Sequence, residues 1–231
     1  MTTARALLGR LGILAIHLAS FAITLWIWLW VNVTGFAAPA SAAIIVGGTV
    51  LMVPASMAAR AWLDRKPTPQ RVFTATFFLH WAIMILLGAA IFEAIKTGRS
   101  WRGWTLPVPP VIGWYLMWIT GAAGVLCVLN LAVRGLGAPW SIALSRRLAT
   151  DWLYRWTRNP MGLATFAFLA SFGLWIQSAL LVAWAVLVVA PCWLLFVRIF
   201  EERELELRFG EAYTSYRART PMLIPGPARR S

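Results

Sequence analysis

Four stretches of the chain contain no Asp, Glu, Lys or Arg, and their lengths limit what the chain can fold into. They cover residues 11–59, 72–92, 103–133 and 159–197. Each is at least as long as the roughly 20 apolar residues that cross a bilayer core as a helix. Hydrophobic residues make up 60% of the sequence, against about 45–50% in soluble domains. The sequence therefore predicts an all-α, polytopic membrane helix bundle.

The same stretches indicate about six transmembrane helices. The first is long enough for two helices, which Asn32, Gly35 and Pro39 would separate by a turn. The last, 39 residues long, exceeds one span and just accommodates two short ones, so we predict a tight helical hairpin that turns near residues 175–178. The other predicted spans lie at about 11–33, 40–59, 72–95 and 111–133.

The distribution of basic residues predicts the orientation. With six spans and both termini cytoplasmic, 18 of the 21 Lys and Arg residues face inward, as the positive-inside rule requires. The net charge of +13 is spread between apolar stretches and does not form one patch, so we expect no nucleic-acid partner. Low Lys and abundant Arg favour a bacterial inner membrane. No metal-ligand spacing is present, and Cys127 and Cys192 are expected to be small buried hydrophobes.

Two polar segments flank the predicted hairpin. Residues 154–161 read Tyr-Arg-Trp-Thr-Arg-Asn-Pro-Met, and five of the eight acidic residues fall between Glu201 and Glu211. Taken alone, the first segment is an ordinary membrane anchor, with Pro160 beginning a helix. The second is an ordinary solvated helix, with pairs such as Arg198–Glu202 and Glu204–Arg208 at i,i+4. Because the hairpin returns the chain to the same membrane face, the two segments can form one polar cleft.

The order of these motifs resembles that of the isoprenylcysteine carboxyl methyltransferases and the related phospholipid methyltransferases. That family has a Tyr-Arg-Tyr-Val-Arg-His/Asn-Pro-Met-Tyr motif, then Glu-Glu-x-x-Leu, Phe-Gly-x-x-Tyr-x-x-Tyr and a Pro-rich end. Here the later motifs are residues 201–205, 209–216 and 221–225. The likeness covers residues 135–225. It departs at Asp151-Trp152, where Gly-Pro is usual, at Asn159, where His is commoner, and at Gly162, where Tyr is frequent.

The resemblance implies an S-adenosylmethionine-dependent methyltransferase with its cofactor between the hairpin entrance and the tail. Arg158 would hold the cofactor carboxylate, and Glu201 and Glu202 its ammonium or ribose hydroxyls. It also implies cofactor contacts from Tyr154, Asn159, Pro160, Tyr213 and Tyr216. Arg158, Asn159 and Glu201 are the candidate catalytic residues. We expect neither His17 nor His80 near the cleft, since they lie in the first and third predicted spans.

The acceptor stays open at this point. A prenylcysteine carboxylate, a phospholipid amine and a small thiol all suit a site between cytosol and bilayer. The alternatives are an NADPH-dependent membrane reductase of the sterol reductase type and a non-enzymatic membrane protein that retains the fold. We divide the chain into a four-helix transmembrane region, residues 1–133, and a methyltransferase-like region, residues 134–231, which together form one membrane domain. We also expect Gly121 and Gly124 to allow close helix approach.

Overall fold

The computed structural model describes residues 2–100, 106–137 and 145–226. The described residues form helices and no strand, so the predicted all-α class is confirmed. Seven helices, which we label in chain order, and one short 3₁₀ helix (Trp152–Arg155) make up the described part of the fold. The seven are α1 (Thr2–Val33), α2 (Ala38–Asp64), α3 (Pro69–Ser100), α4 (Pro110–Val133), α5 (Pro160–Trp175), α6 (Ala179–Phe209) and α7 (Glu211–Arg219).

The helix lengths agree with a membrane bundle of about six spans. Within the described ranges, α1 to α4 and α6 are each long and apolar enough to cross a bilayer. The apolar helix α5 has 16 residues, which gives it a length of about 24 Å at 1.5 Å per residue. Large apolar side chains of α1 and α4 point outward, with Trp26 67% and Ile119 64% exposed. A bilayer is the environment that covers such a surface.

The predicted hairpin turns where the sequence places it. Helix α5 ends at Trp175, and Ser178 caps α6 by accepting a hydrogen bond from the backbone N–H of Leu181 at 3.2 Å. Between them, Gln177 adopts a left-handed backbone conformation with φ of 57°. Its side-chain amide donates to the carbonyl of Val108 at 3.0 Å. The turn is therefore tied to the segment that leads into α4.

Helix α4 lies against α5, and Gly113 marks their closest approach. A Cβ atom there would lie 2.3 Å from the backbone nitrogen of Trp175. Gly121 and Gly124 also face α5, but a Cβ on either would meet Phe168 at 3.5 Å or Ala164 at 3.9 Å, which is ordinary contact. Both glycines therefore lie at the contact between α4 and α5, as expected, and Gly113 marks its tightest point.

Helices α1 and α2 are fastened to α3 by a buried polar cluster. Glu93 of α3 is 2% exposed, accepts a hydrogen bond from Ser41 at 2.6 Å and pairs with Lys96 at 2.7 Å. The Lys96 ammonium also donates to the carbonyls of Val31 and Thr34, both at 2.6 Å. The connection from α1 to α2 is thus held at one end of the bundle by a charge that is fully paired.

Helix α6 runs through the middle of the bundle and emerges at the other end. The buried residues of α6 belong to one apolar core that α2, α3 and α5 also form. This core includes Met52 of α2, Leu87 of α3 and Phe196 of α6. Near its polar end, Arg60 donates to the carbonyl of Ile199 at 3.1 Å. Helix α6 ends at Phe209, and Gly210 has a φ of 52°, a conformation that glycine adopts without strain. Glycine just after the last helical residue is a common helix stop, and α6 ends there.

Candidate active site

A cavity of about 150 Å³ lies at the polar end of α6, between the hairpin entrance, α3 and α7. One part of its wall is polar and the rest is apolar. The polar wall comes from Ser145, Arg158, Asn159, Glu201, Glu204 and Arg208. The apolar and aromatic wall includes Leu131, Met161, Trp193, Phe196, Leu205, Tyr154, Tyr213 and Tyr216. An amphipathic ligand matches this division.

The backbone of the hairpin entrance is fixed by the segment after α7. The backbone N–H of Arg158 donates to the carbonyl of Pro221 at 2.8 Å, and the Thr157 hydroxyl donates to the carbonyl of Met222 at 3.0 Å. Further along, the N–H of Gly226 donates to the carbonyl of Trp156 at 3.0 Å. The C-terminal segment thereby holds the residues that present Arg158 to the cavity.

Asn159 and Arg158 each bring an unpartnered donor atom to the cavity. Asn159 caps α5, its side-chain oxygen accepting from the backbone N–H of Gly162 at 3.0 Å. Its Nδ2 atom and the Nε atom of Arg158 are buried without a hydrogen-bond partner in the described structure. The two donors are available to an acceptor group of a ligand, and an unmade hydrogen bond in the interior costs about 1–3 kcal/mol.

The cap also accounts for the glycine at position 162. A Cβ atom there would lie 2.7 Å from the side-chain oxygen of Asn159 and 2.7 Å from the indole nitrogen of Trp193. In this chain, a larger residue at 162 would disturb both the cap and the cavity wall. The departure from the family's Tyr therefore has a local steric reason.

Three glutamates at the end of α6 have different surroundings. Glu202 forms an ion pair with Arg158 and lies 3.9 Å from Arg217. Glu204 is 4% exposed and pairs with Arg208 at 2.6 Å. Glu201 lines the cavity and has no ion pair within the described part of the chain. Of the three carboxylates, Glu201 is the one placed to receive a cationic ligand group.

These contacts decide between the predicted helix pairs. The Glu204–Arg208 pair is confirmed. The Arg198–Glu202 pair is wrong, because the end of α6 lies against the hairpin entrance and Glu202 meets Arg158 there. Glu202 is not part of the cavity wall and instead holds Arg158 from outside it.

Three tyrosines contribute aromatic surface to the cavity. Tyr213 is 2% exposed, and its ring centroid lies 6.3 Å from that of Tyr216. The Tyr216 hydroxyl donates to the carbonyl of Tyr154 at 2.6 Å, which ties α7 to the turn before the hairpin. Burial raises the pKa of all three phenols, so they remain neutral at physiological pH. Pro160 is the first residue of α5, is buried, and does not line the cavity.

Helix α3 contributes residues to the cavity that the sequence analysis missed. Thr76 and His80 both line it, so the expectation that His80 lies away from the cleft is wrong. The Nδ1 atom of His80 lies 2.8 Å from the carbonyl oxygen of Thr76. The His80 ring packs edge to face on Phe196, with 5.6 Å between the ring centroids. An ionisable residue inside a membrane span was the available signal. An ionisable residue in a span suggests a functional position, but it does not show which neighbouring helix the His80 side chain faces.

A family model matches part of the chain that contains this site. Residues 111–212 match the family model of the phospholipid methyltransferases. The match contains the hairpin, Arg158, Asn159 and the three glutamates, and it ends just before Tyr213. It also contains α4, which the sequence analysis grouped with the first three spans. Searches of curated proteins and of solved structures found no match. The resemblance to the membrane methyltransferases is confirmed over the matched region.

Proposed function

We propose that this chain, whose residues 111–212 match the phospholipid methyltransferase family model, transfers a methyl group from S-adenosylmethionine to a lipophilic acceptor. The family match supports a membrane methyltransferase. One observation supports the cofactor: Arg158 Nε and Asn159 Nδ2 are buried donors without partners, and the unpaired carboxylate of Glu201 lines the same cavity. A ligand that carries both an anionic and a cationic group would satisfy all three.

The groups of S-adenosylmethionine fit this set of residues. Arg158 and Asn159 would donate to its carboxylate, and Glu201 would accept from its ammonium. Tyr154, Tyr213 and Tyr216 offer flat surfaces for the adenine. The volume of about 150 Å³ is below the roughly 300–1,000 Å³ of typical small-molecule sites, so part of the ligand would extend beyond the enclosed space.

The bound cofactor would supply an electrophilic methyl group on a sulfonium, and the protein's task would be alignment and exclusion of water. Glu202 would keep the Arg158 guanidinium in place through their ion pair. The apolar wall formed by Trp193, Phe196 and Leu205 would keep water from the acceptor. Glu201 would also be able to take a proton from an acceptor that must lose one.

The acceptor would enter from the bilayer at the membrane face that bears the cavity, which the positive-inside rule predicts to be cytoplasmic. A prenylcysteine carboxylate, a phospholipid amine and a small thiol are the three candidate classes. The family description favours the phospholipid amine. The carboxylate of Glu201 in the cavity suits that choice, since an ammonium must lose a proton before it attacks.

Calorimetry on detergent-purified protein tests the proposal. We expect S-adenosylmethionine to bind wild type in preference to NADPH, and we expect Arg158→Ala and Glu201→Gln to weaken binding strongly. Truncating one partner of a buried charged pair costs about 2–5 kcal/mol, or about 30-fold or more in Kd. Glu211→Gln is the matched control, because Glu211 is exposed and lies outside the cavity wall.

Three outcomes would contradict the proposal. Binding of NADPH alone would support the reductase alternative, and binding of neither ligand would support a non-enzymatic role. Equal weakening by Glu201→Gln and Glu211→Gln would mean that the glutamate in the cavity has no specific part in binding.

A further inference from the structure

A second concave surface lies on the opposite side of α3 from the candidate active site. It is an apolar groove of about 460 Å³ between the end of α2 and the start of α3. Ala55 and Ala59 leave the space open, and Trp62, Phe78 and Leu79 form its walls. The volume lies within the roughly 300–1,000 Å³ of ligand sites. Phe78 is 66% exposed, so the groove opens toward the bilayer.

The turn at the end of this groove is strongly basic. Residues 60–71 contain four basic residues and one acid, Asp64. That acid is already engaged, by Arg60 at 3.3 Å and by Arg203 at 2.8 Å. Arg65 and Lys66 are exposed and form no ion pair with any residue that the structure describes. Two uncompensated positive charges therefore remain beside the groove.

Trp62 joins the apolar groove to the basic turn. Its ring lines the groove, and the guanidinium of Arg71 lies 4.9 Å from the ring centroid. Arg71 also donates to the backbone carbonyl of Trp62 at 3.2 Å. This contact uses one of the five N–H donors of the guanidinium. The contact with Trp62, which lines the groove, places the Arg71 guanidinium beside it.

We infer that this groove binds one anionic phospholipid, with an acyl chain against Ala55 and Ala59 and its phosphate at Arg65, Lys66 and Arg71. The charge selects the occupant, because basic residues at a membrane surface attract anionic headgroups. The site is separate from the active-site cavity, since Thr76 and His80 face the cavity while Thr74 and Phe78 of the same helix face the groove. The inference does not depend on the proposed methyl transfer.

Native mass spectrometry of the full-length protein, released from detergent with added lipid, tests this site. We expect one molecule of dioleoyl phosphatidylglycerol to bind about tenfold more tightly than dioleoyl phosphatidylcholine. Arg65→Gln/Lys66→Gln should lower the affinity for phosphatidylglycerol about tenfold and leave that for phosphatidylcholine unchanged. Arg146→Gln/Arg147→Gln is the matched control, since it removes two exposed arginines outside the groove.

A second variant tests the apolar part of the site. Ala59→Trp should fill the groove and lower the affinity for both lipids. If the tryptophan prevents folding, the smaller substitution Ala59→Leu is measured instead. Equal affinity of the wild type for the two lipids would overturn the inference. An equal loss of phosphatidylglycerol binding in Arg65→Gln/Lys66→Gln and Arg146→Gln/Arg147→Gln would also overturn the inference, because the effect would then come from the overall charge of the protein.

Discussion

Gly113→Ala should separate α4 from the hairpin turn. A Cβ at this position would lie 2.3 Å from the nitrogen of Trp175 and 2.7 Å from the carbonyl carbon of Leu174. Both are backbone atoms, so no side-chain rotation can relieve the contact. Ordinary contact begins at 3.4 Å, and α4 must therefore move by about 1 Å relative to the turn, since interiors are packed too closely to absorb such an overlap.

The cost follows from three contributions. Overpacking costs about 1–3 kcal/mol, and stretching the hydrogen bond from Gln177 to Val108 costs up to about 1 kcal/mol. Replacing glycine by alanine in a helix returns about 1 kcal/mol. The net destabilisation is about 0–3 kcal/mol. Gly121→Ala on the same helix gains the same free energy of helix propensity. Its Cβ would lie 3.5 Å from the Phe168 ring, an ordinary contact distance, so the substitution should be neutral or stabilising.

Thermal unfolding in detergent, followed by circular dichroism at 222 nm, measures the difference. The helix-propensity gain is the same in both variants, so their stabilities should differ by about 1–4 kcal/mol. At about 2–4 °C per kcal/mol for a chain of this size, Gly113→Ala should unfold about 2–16 °C below Gly121→Ala. Ligand binding by the folded fraction should be unchanged, because the turn lies at the other end of α5 from the cavity. Equal unfolding temperatures for the two variants would refute the close approach of α4 to the turn.

Three further changes test other contacts. Glu204→Gln should destabilise the protein by about 1.5–3 kcal/mol, since it removes the negative charge that faces Arg208 while Arg208 keeps its hydrogen bond to the Ser145 carbonyl; an unchanged Tm would show that the charge of Glu204 contributes nothing. Tyr216→Phe removes the hydrogen bond to the Tyr154 carbonyl and should lower Tm by about 2–4 °C for the roughly 1 kcal/mol lost, whereas Tyr115→Phe, which is exposed, should not. Truncation after Arg219 removes the acceptors that fix the hairpin entrance, so calorimetry should show weaker S-adenosylmethionine binding while circular dichroism shows the helices intact. Wild-type affinity in the truncated protein would mean that the tail does not order the site.

Features that depend on neighbouring residues in the chain were predictable from the sequence. The charge-free stretches located the membrane helices, because a bilayer core excludes unpaired charges over a fixed thickness. Gly210 and the segment near residue 177 marked a helix end and a turn, because both depend on local backbone conformation. The Glu204–Arg208 pair was also readable, since residues four apart lie on one helix face.

Contacts between distant segments were decided by the tertiary structure. Glu202 had a suitable partner four residues away in Arg198, yet it pairs with Arg158, because the hairpin brings the two segments together. His80 enters the cavity from α3 through the rotation of that helix, which a uniformly apolar span does not encode. Gly113 and Gly121 look equivalent in the sequence, and only the position of the turn opposite Gly113 distinguishes them. The sequence by itself determined which segments are helical, where they end and which polar motifs flank the hairpin; their packing determined which charges and glycines meet, because these contacts depend on helix rotation and separation.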